Sequence, residues 1–169
     1  MARIYRFALK RPMSGLLGPE GESAIYISRS DSEELLGSFA PLSFLLEDTL
    51  WPTVEHYLQA MQYESNFEQE RIRLLETPAL AHKEQKGRWF KRRRQNWRAV
   101  APVYLTRAIY IRCKTHAVAT HRLLNTEESL LIENDQYDYF WGCGRDRRGE
   151  NHYGQVLMNV RQKLRSESS

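Results

Sequence analysis

The stretch Trp51-Pro52-Thr53-Val54-Glu55-His56-Tyr57-Leu58-Gln59-Ala60 begins as a turn and ends as a helix. Pro52 disfavours helical geometry at Trp51, and Thr53 is a natural N-cap. Glu55 then falls in the first helical turn, where unpaired amides and the helix dipole favour negative charge. Gln59 lies four residues on, so the two side chains share a face. Two uses of Glu55 are open on this spacing. It can stabilise its own helix, or it can activate a water molecule beside an amide and an aromatic. Trp51 is expected to pack beneath the turn.

Downstream of this start the chain reads as helical. The expected helices run from Val54 to Tyr63, from Asn66 to Leu75 with Phe67, Arg71, Leu74 and Leu75 as its buried stripe, and from Thr77-Pro78 to before Gly87. The third begins with a Thr cap and a Pro at the first helical position. Trp97 to His116 repeats apolar residues at Val100, Val103, Tyr104, Ala108 and Ile111, a helical period. Residues 117–124 continue or restart it. Leu130–Glu133 reads as a short strand. A last helix from Asn151 or Tyr153 to Leu164 buries Val156, Leu157, Val160 and Leu164, and a frayed Ser-rich tail follows. Upstream, residues 3–9 and 24–28 read as strands, and 11–23, with three glycines and two prolines, as a loop. Residues 37–49 look irregular, with a strand near Leu42–Leu46. The expectation is an α+β, mostly helical single domain over residues 1–169.

A second stretch, residues 133–154, places Gly142, Gly144, Gly149 and Gly154 among Tyr137, Tyr139, Phe140 and Trp141, before the final helix. Five motifs now stand in order. They are Thr53/Glu55/His56/Tyr57/Gln59/Ala60, Asn96/Trp97, Asp138/Trp141/Gly142/Gly144, Gly149/Asn151/Gly154 and Leu157/Met158/Arg161. Together the chain resembles the NADAR (YbiA-like) family over residues 37–165, and residues 1–36 have no match. It departs from the family at Gly37-Ser38-Phe39, where an Asn commonly stands in place of Ser38, at Met61-Gln62, where a Lys is common, and at Val103-Tyr104.

The resemblance implies an enzyme that hydrolyses N-glycosidic bonds. Members act on ribosylamino intermediates of riboflavin synthesis, or remove ADP-ribose from guanine in nucleic acid. Cleavage of either bond passes through an oxocarbenium-like state, which requires a nearby negative charge and an activated water. Glu55 is the expected catalytic carboxylate. Asp138 is the second, binding ribose or helping to protonate the leaving nitrogen, or else serving as a turn aspartate. Glu133 is a further acid with a structural alternative. Trp141 is expected to stack on the base, with Gly142 and Gly144 allowing close backbone approach. Trp97, Arg94, Gln59, Asn151, Ser38 and Phe39 complete the expected substrate contacts. Arg94 would hold a phosphate, and Asn151 has helix capping as its other use. His56 is a supporting residue.

Net charge is +4, and Lys86 to Arg98 contains seven Lys or Arg residues and no acid. With Trp89 and Phe90 interleaved, Lys91, Arg92 and Arg93 suit a nucleic-acid backbone. A solvated charged loop is the plainer reading of such a run. The run tips the expected substrate toward ADP-ribosylated nucleic acid, with a phosphorylated ribosylamino heterocycle as the alternative and a non-catalytic ADP-ribose sensor as a third. An enzyme of the first kind would pair functionally with a DNA ADP-ribosyltransferase toxin. Cys113 and Cys143 form no disulfide framework or metal pattern, so no metal or cofactor is expected, and Cys143 is taken as a bystander. No apolar run reaches the ~20 residues that span a bilayer, nor does the start resemble a signal peptide; a cytoplasmic protein is expected.

Overall fold

The computed structural model describes residues 24–84 and 93–168. The strand expected at 3–9, the loop at 11–23 and most of the basic run, with Lys91 and Arg92, lie outside these. The described elements are β1 (Ala24–Ile27), β2 (Phe44–Leu46), β3 (Thr49–Trp51), α1 (Val54–Met61), α2 (Asn66–Arg73), α3 (Pro78–Lys83), α4 (Trp97–Thr115), α5 (Ala117–Leu124), β4 (Leu130–Glu133) and α6 (His152–Ser168). The architecture is α+β and mostly helical. β1 pairs in parallel with β4, with Ile27 opposite Glu133. This pairing aligns the ends of both strands and brings residues that follow them, Arg29 and Asp138, together. β2 and β3 form an antiparallel hairpin.

That hairpin differs from the expected irregular segment. Glu47 and Asp48 both have positive φ (53° and 59°), the geometry of a tight two-residue turn. Neither is the Asn or Gly that usually marks such a turn, so its sequence signal is weak. Trp51 ends β3 and meets Tyr57 edge-on at 5.2 Å, under the start of α1 as expected.

α1 is buried along its whole length. It packs against α2, α3, α4 and β3, which makes it the hub of the core. Thr53 caps it as expected, with its hydroxyl oxygen accepting from His56 N at 3.3 Å. Thr77 caps α3 in the same way. α2 buries Ile72, whereas Phe67 and Leu74 of the expected stripe are exposed. α4 also turns a different face inward. Ala101, Leu105, Ala108 and Arg112, one residue per helical turn, are buried in the helix that packs on α1 and α6, while Val103 is exposed. α6 buries the four expected apolar residues and continues to Ser168 rather than fraying after Leu164. Ser166 and Ser168 extend it by donating hydroxyls to the carbonyls of Lys163 and Leu164. Among the described residues no helix is long and apolar enough to cross a membrane.

Candidate active site

Glu55 is completely buried, and three side chains donate to its carboxylate. Ser38 Oγ donates to Oε2 at 2.6 Å, Gln59 Nε2 to Oε1 at 2.8 Å, and His82 Nδ1 to Oε1 at 2.7 Å. Because its partner is an acceptor, the His82 ring carries its proton on Nδ1. Burial alone would raise the pKa of this carboxyl. The hydrogen bond and electrostatic pull of His82, the charge of Arg29 and the Ser38 hydroxyl outweigh it, and hold Glu55 down to about 2 from its ordinary 4.5.

An ionised carboxylate without solvent is stable only when such partners are fixed in advance. Each is anchored. Gln59 Oε1 accepts from Gln62 Nε2 at 2.8 Å, and that nitrogen also reaches Glu84 O. His82 rides on α3 and meets the Phe39 ring edge-on at 5.6 Å. Ser38 follows a segment clamped from α4 and α6. Arg112 donates to the carbonyls of Gly37 (2.5 Å) and Leu36 (3.3 Å), and the Tyr153 hydroxyl donates to the latter at 2.8 Å. Glu55 N also donates to Ser38 O at 2.9 Å, which satisfies one free amide of the helix start.

The low pKa has a consequence for stability. The folded value lies below the unfolded one, so the stabilisation is complete above about pH 4.5 and is lost as pH falls toward 2. Its size is at most about 3 kcal/mol. The urea midpoint is expected to drop between pH 6 and pH 3.5 by clearly more in the wild type than in Glu55→Gln. Equal drops would show that Glu55 is not held ionised.

The second carboxylate serves the loop. Asp138 Oδ1 accepts from the backbone N of Phe140 (2.9 Å) and Trp141 (2.8 Å), and Oδ2 accepts from Arg29 Nη2 at 2.9 Å. The turn role expected as its alternative is therefore present, with a largely buried ion pair added. Glu133 is also structural. It accepts from the backbone of Arg29 and Asp135, and burial raises its carboxyl above the usual range.

The expectation for Gly142 and Gly144 changes most. A Cβ on Gly142 would stand 2.5 Å from Glu133 Oε2, and one on Gly144 2.6 Å from the Tyr139 ring. These glycines permit a close approach of protein to protein. Trp141 is buried and packs edge-on against Phe140 at 4.7 Å, as a loop anchor. The Asn151 carbonyl accepts from Gln155 N at the start of α6, but its side chain does not turn back to cap the helix. With φ +50° it turns its side chain onto β4, accepting from Glu133 N and donating to Leu131 O, both at 2.9 Å. Asn151→Ala removes both buried bonds and is expected to cost about 2–3 kcal/mol, read as a lower urea midpoint. A change below about 0.5 kcal/mol would contradict this role.

The other expected contacts separate into two groups. Ser38, Phe39 and Gln59 cluster at Glu55, where Ser38 and Gln59 orient the carboxylate. Arg94 and Trp97 gather at the start of α4. The Trp97 ring lies 5.7 Å from that of Tyr104, and the Arg94 guanidinium sits 5.5 Å from the same ring while its Nε donates to Met61 O at 2.7 Å. Arg93, expected on a nucleic-acid backbone, turns inward to donate to Glu84 O at 3.0 Å. His56 supports α1 through Thr53 Oγ1 and Leu75 O. Sequence reasoning missed Arg29, His82 and Arg112. Each acts across 27 or more positions, and none lies in a recurring motif.

A buried carboxylate held ionised at the start of a central helix is what the motif order implied; the Arg29 ion pair with Asp138, whose charge acts on Glu55, is added by the structure. The model of the NADAR domain matches residues 21–165. The chain belongs to the NADAR family. The N-glycosidase Npun_R5314 of Nostoc punctiforme is 36% identical over 131 residues, covering 76% of this chain and 84% of that protein. The N-glycosidase YbiA of Escherichia coli is 31% identical over 142 residues, covering 84% and 88%. Its NMR structure superimposes with a TM-score of 0.77 at 30% identity, covering 87% of this chain and 88% of that one. A protein of Vibrio vulnificus named for riboflavin biosynthesis is 29% identical over 150 residues, 87% of this chain but 40% of that longer protein. This NADAR chain is accordingly an N-glycosidase, an enzyme of the hydrolase class.

Proposed function

We propose that this NADAR enzyme hydrolyses the bond between a ribose anomeric carbon and the nitrogen of a heterocycle, with Glu55 as the catalytic carboxylate. The observation that carries this is the fixed, ionised Glu55, because an oxocarbenium-like state is stabilised by a negative charge already in place. Such a carboxylate is a weak proton acceptor. Its work is to orient the attacking water and to offset the sugar's positive charge. Water supplies the hydroxyl to the sugar carbon, and its other proton ends on the departing nitrogen.

For the substrate, a ribosylamino-pyrimidine phosphate is the reading supported by the riboflavin-biosynthesis name of the Vibrio relative and by Arg94, whose Nη atoms have no hydrogen-bond partner among the described residues and suit a single phosphate. The removal of ADP-ribose from guanine in nucleic acid is favoured by the seven cations between Lys86 and Arg98. The deciding experiment offers both substrates to the same preparation: ribosylamino-pyrimidine phosphates, and a DNA oligonucleotide carrying ADP-ribose on guanine. Cleavage of the small phosphates alone supports the first reading. Release of ADP-ribose from DNA, abolished when Lys91, Arg92 and Arg93 are reversed to Glu, supports the second. No turnover of either by the wild type overturns both.

A further inference from the structure

Arg29 lies just beyond β1 and is 2% exposed. Its Nη2 donates to Asp138 Oδ2 at 2.9 Å, while Nη1 is buried and meets no acceptor among the described residues. The ion pair with Asp138 holds the guanidinium in place, and the backbone behind it is anchored too. The backbone N of Arg29 donates to Glu133 Oε1 at 3.3 Å, and its carbonyl accepts from Phe39 N at 3.1 Å with Ser38 Oγ 3.2 Å away. The same Ser38 hydroxyl reaches Glu55, and the guanidinium charge acts on the Glu55 carboxylate. The cation therefore stands among the catalytic carboxylate, Asp138 and the loop start.

A buried guanidinium N–H without an acceptor is rare in folded proteins, because its lost hydration is not replaced. Beside the catalytic carboxylate of an enzyme that must receive a sugar, the missing acceptor is one that the ligand can supply. The charges nearby select its kind. Glu55 and Asp138 flank the guanidinium, and their field opposes a phosphate dianion there while tolerating a neutral oxygen. A ribose hydroxyl is such an oxygen.

We propose that Arg29 is a substrate-binding residue that donates Nη1–H to a ribose hydroxyl, with Asp138 holding the guanidinium in the required orientation. This rests on the N-glycosidase reading above. It adds a requirement for the intact ribose, and it assigns Asp138 a positioning role.

The test compares wild type, Arg29→Lys and Arg29→Gln on ribosylamino-pyrimidine phosphate and on its 2′-deoxy and 3′-deoxy counterparts, with ADP-ribosylated DNA as the alternative substrate. The wild type is expected to lose about 10–100-fold in kcat/KM when one of the two hydroxyls is removed. Arg29→Lys, which keeps the charge but not the fork, is expected to lose a similar factor on the ribosyl substrate and then to distinguish the deoxy compound by less than about threefold. Variants that retain the wild-type discrimination overturn the proposal. Circular dichroism reports whether each variant is folded. If neither folds, equal wild-type affinity for ribose 5-phosphate and both of its deoxy forms, measured by calorimetry, overturns it, and unequal affinity supports it. If the wild type cleaves nothing, the N-glycosidase reading fails by itself. Arg29 is then judged by ADP-ribose affinity, where a tenfold loss in Arg29→Lys supports the contact and equal or absent binding overturns it.

Discussion

Glu55→Gln is expected to lower kcat on the chain's N-glycoside substrate by about 10²–10³-fold while leaving the fold intact. The isosteric amide fills the same volume and can keep its neighbours. Its oxygen accepts from Gln59 and His82, and its nitrogen donates to Ser38, whose hydroxyl reverses to accept. What is lost is the negative charge. That charge is costly to bury and is retained here by three donors and the field of Arg29. The expected signature is a fall in kcat with KM within about threefold, since the charge acts on the transition state rather than on ground-state binding. Retention of more than a tenth of wild-type kcat would remove Glu55 from the chemistry.

The second large effect is on stability. Gly154 lies in the first turn of α6, where a Cβ would stand 2.0 Å from the Leu131 carbonyl and 2.7 Å from Asn151 Nδ2. Neither neighbour can yield. The Leu131 carbonyl lies within β4 and accepts from Asn151, and the Asn151 amide is fixed at both ends. Gly154→Ala must therefore push α6 off the sheet. A destabilisation of about 3 kcal/mol or more is expected, comparable with severe core overpacking, and Tm should fall by roughly 6–12 °C. The useful control is Gln155→Ala, the next position on the same helix, which should move Tm by less than about 2 °C. An unchanged Tm for Gly154→Ala would mean that α6 does not press on β4 as described.

The two effects show which parts of the molecule are legible in its sequence. Local signals are. Thr53 and Thr77 cap their helices because capping is decided within four residues. The glycines of 142–154 stand out as special, but their purpose does not, because Glu133, Tyr139 and Leu131 approach them from positions that spacing does not reveal. Asn151 misleads for a related reason. Its residue type suits a cap, and only its positive φ sends the amide to β4 instead. The buried faces of α2 and α4 are hard to read because apolar residues occur on more than one side. On α4 the buried stripe runs through Ala101, Leu105, Ala108 and Arg112, so a cation lies inside while the apolar Val103 faces out.

For the site, Glu55, Gln59, Ser38 and Phe39 are legible from motif and local spacing, and they come together. The pieces that set the electrostatics are not. His82 reaches Glu55 from α3, and Arg29 joins Glu55 to Asp138 only because β1 and β4 run parallel and end in register. A parallel pair leaves no hairpin signal in the sequence, so the ion pair it creates is invisible until the strands are placed.

The most direct test of the account is the pH dependence of kcat between pH 3.5 and 5.5, measured on wild type and Glu55→Gln after subtraction of the uncatalysed rate. A carboxylate held ionised to about pH 2 predicts no carboxylate-type fall in wild-type rate across this window while the fold persists. A rate that halves between pH 4 and 5, with circular dichroism unchanged, would show an ordinary titrating carboxyl at work and would contradict the assignment of a permanently charged Glu55 as the group that drives N-glycoside cleavage.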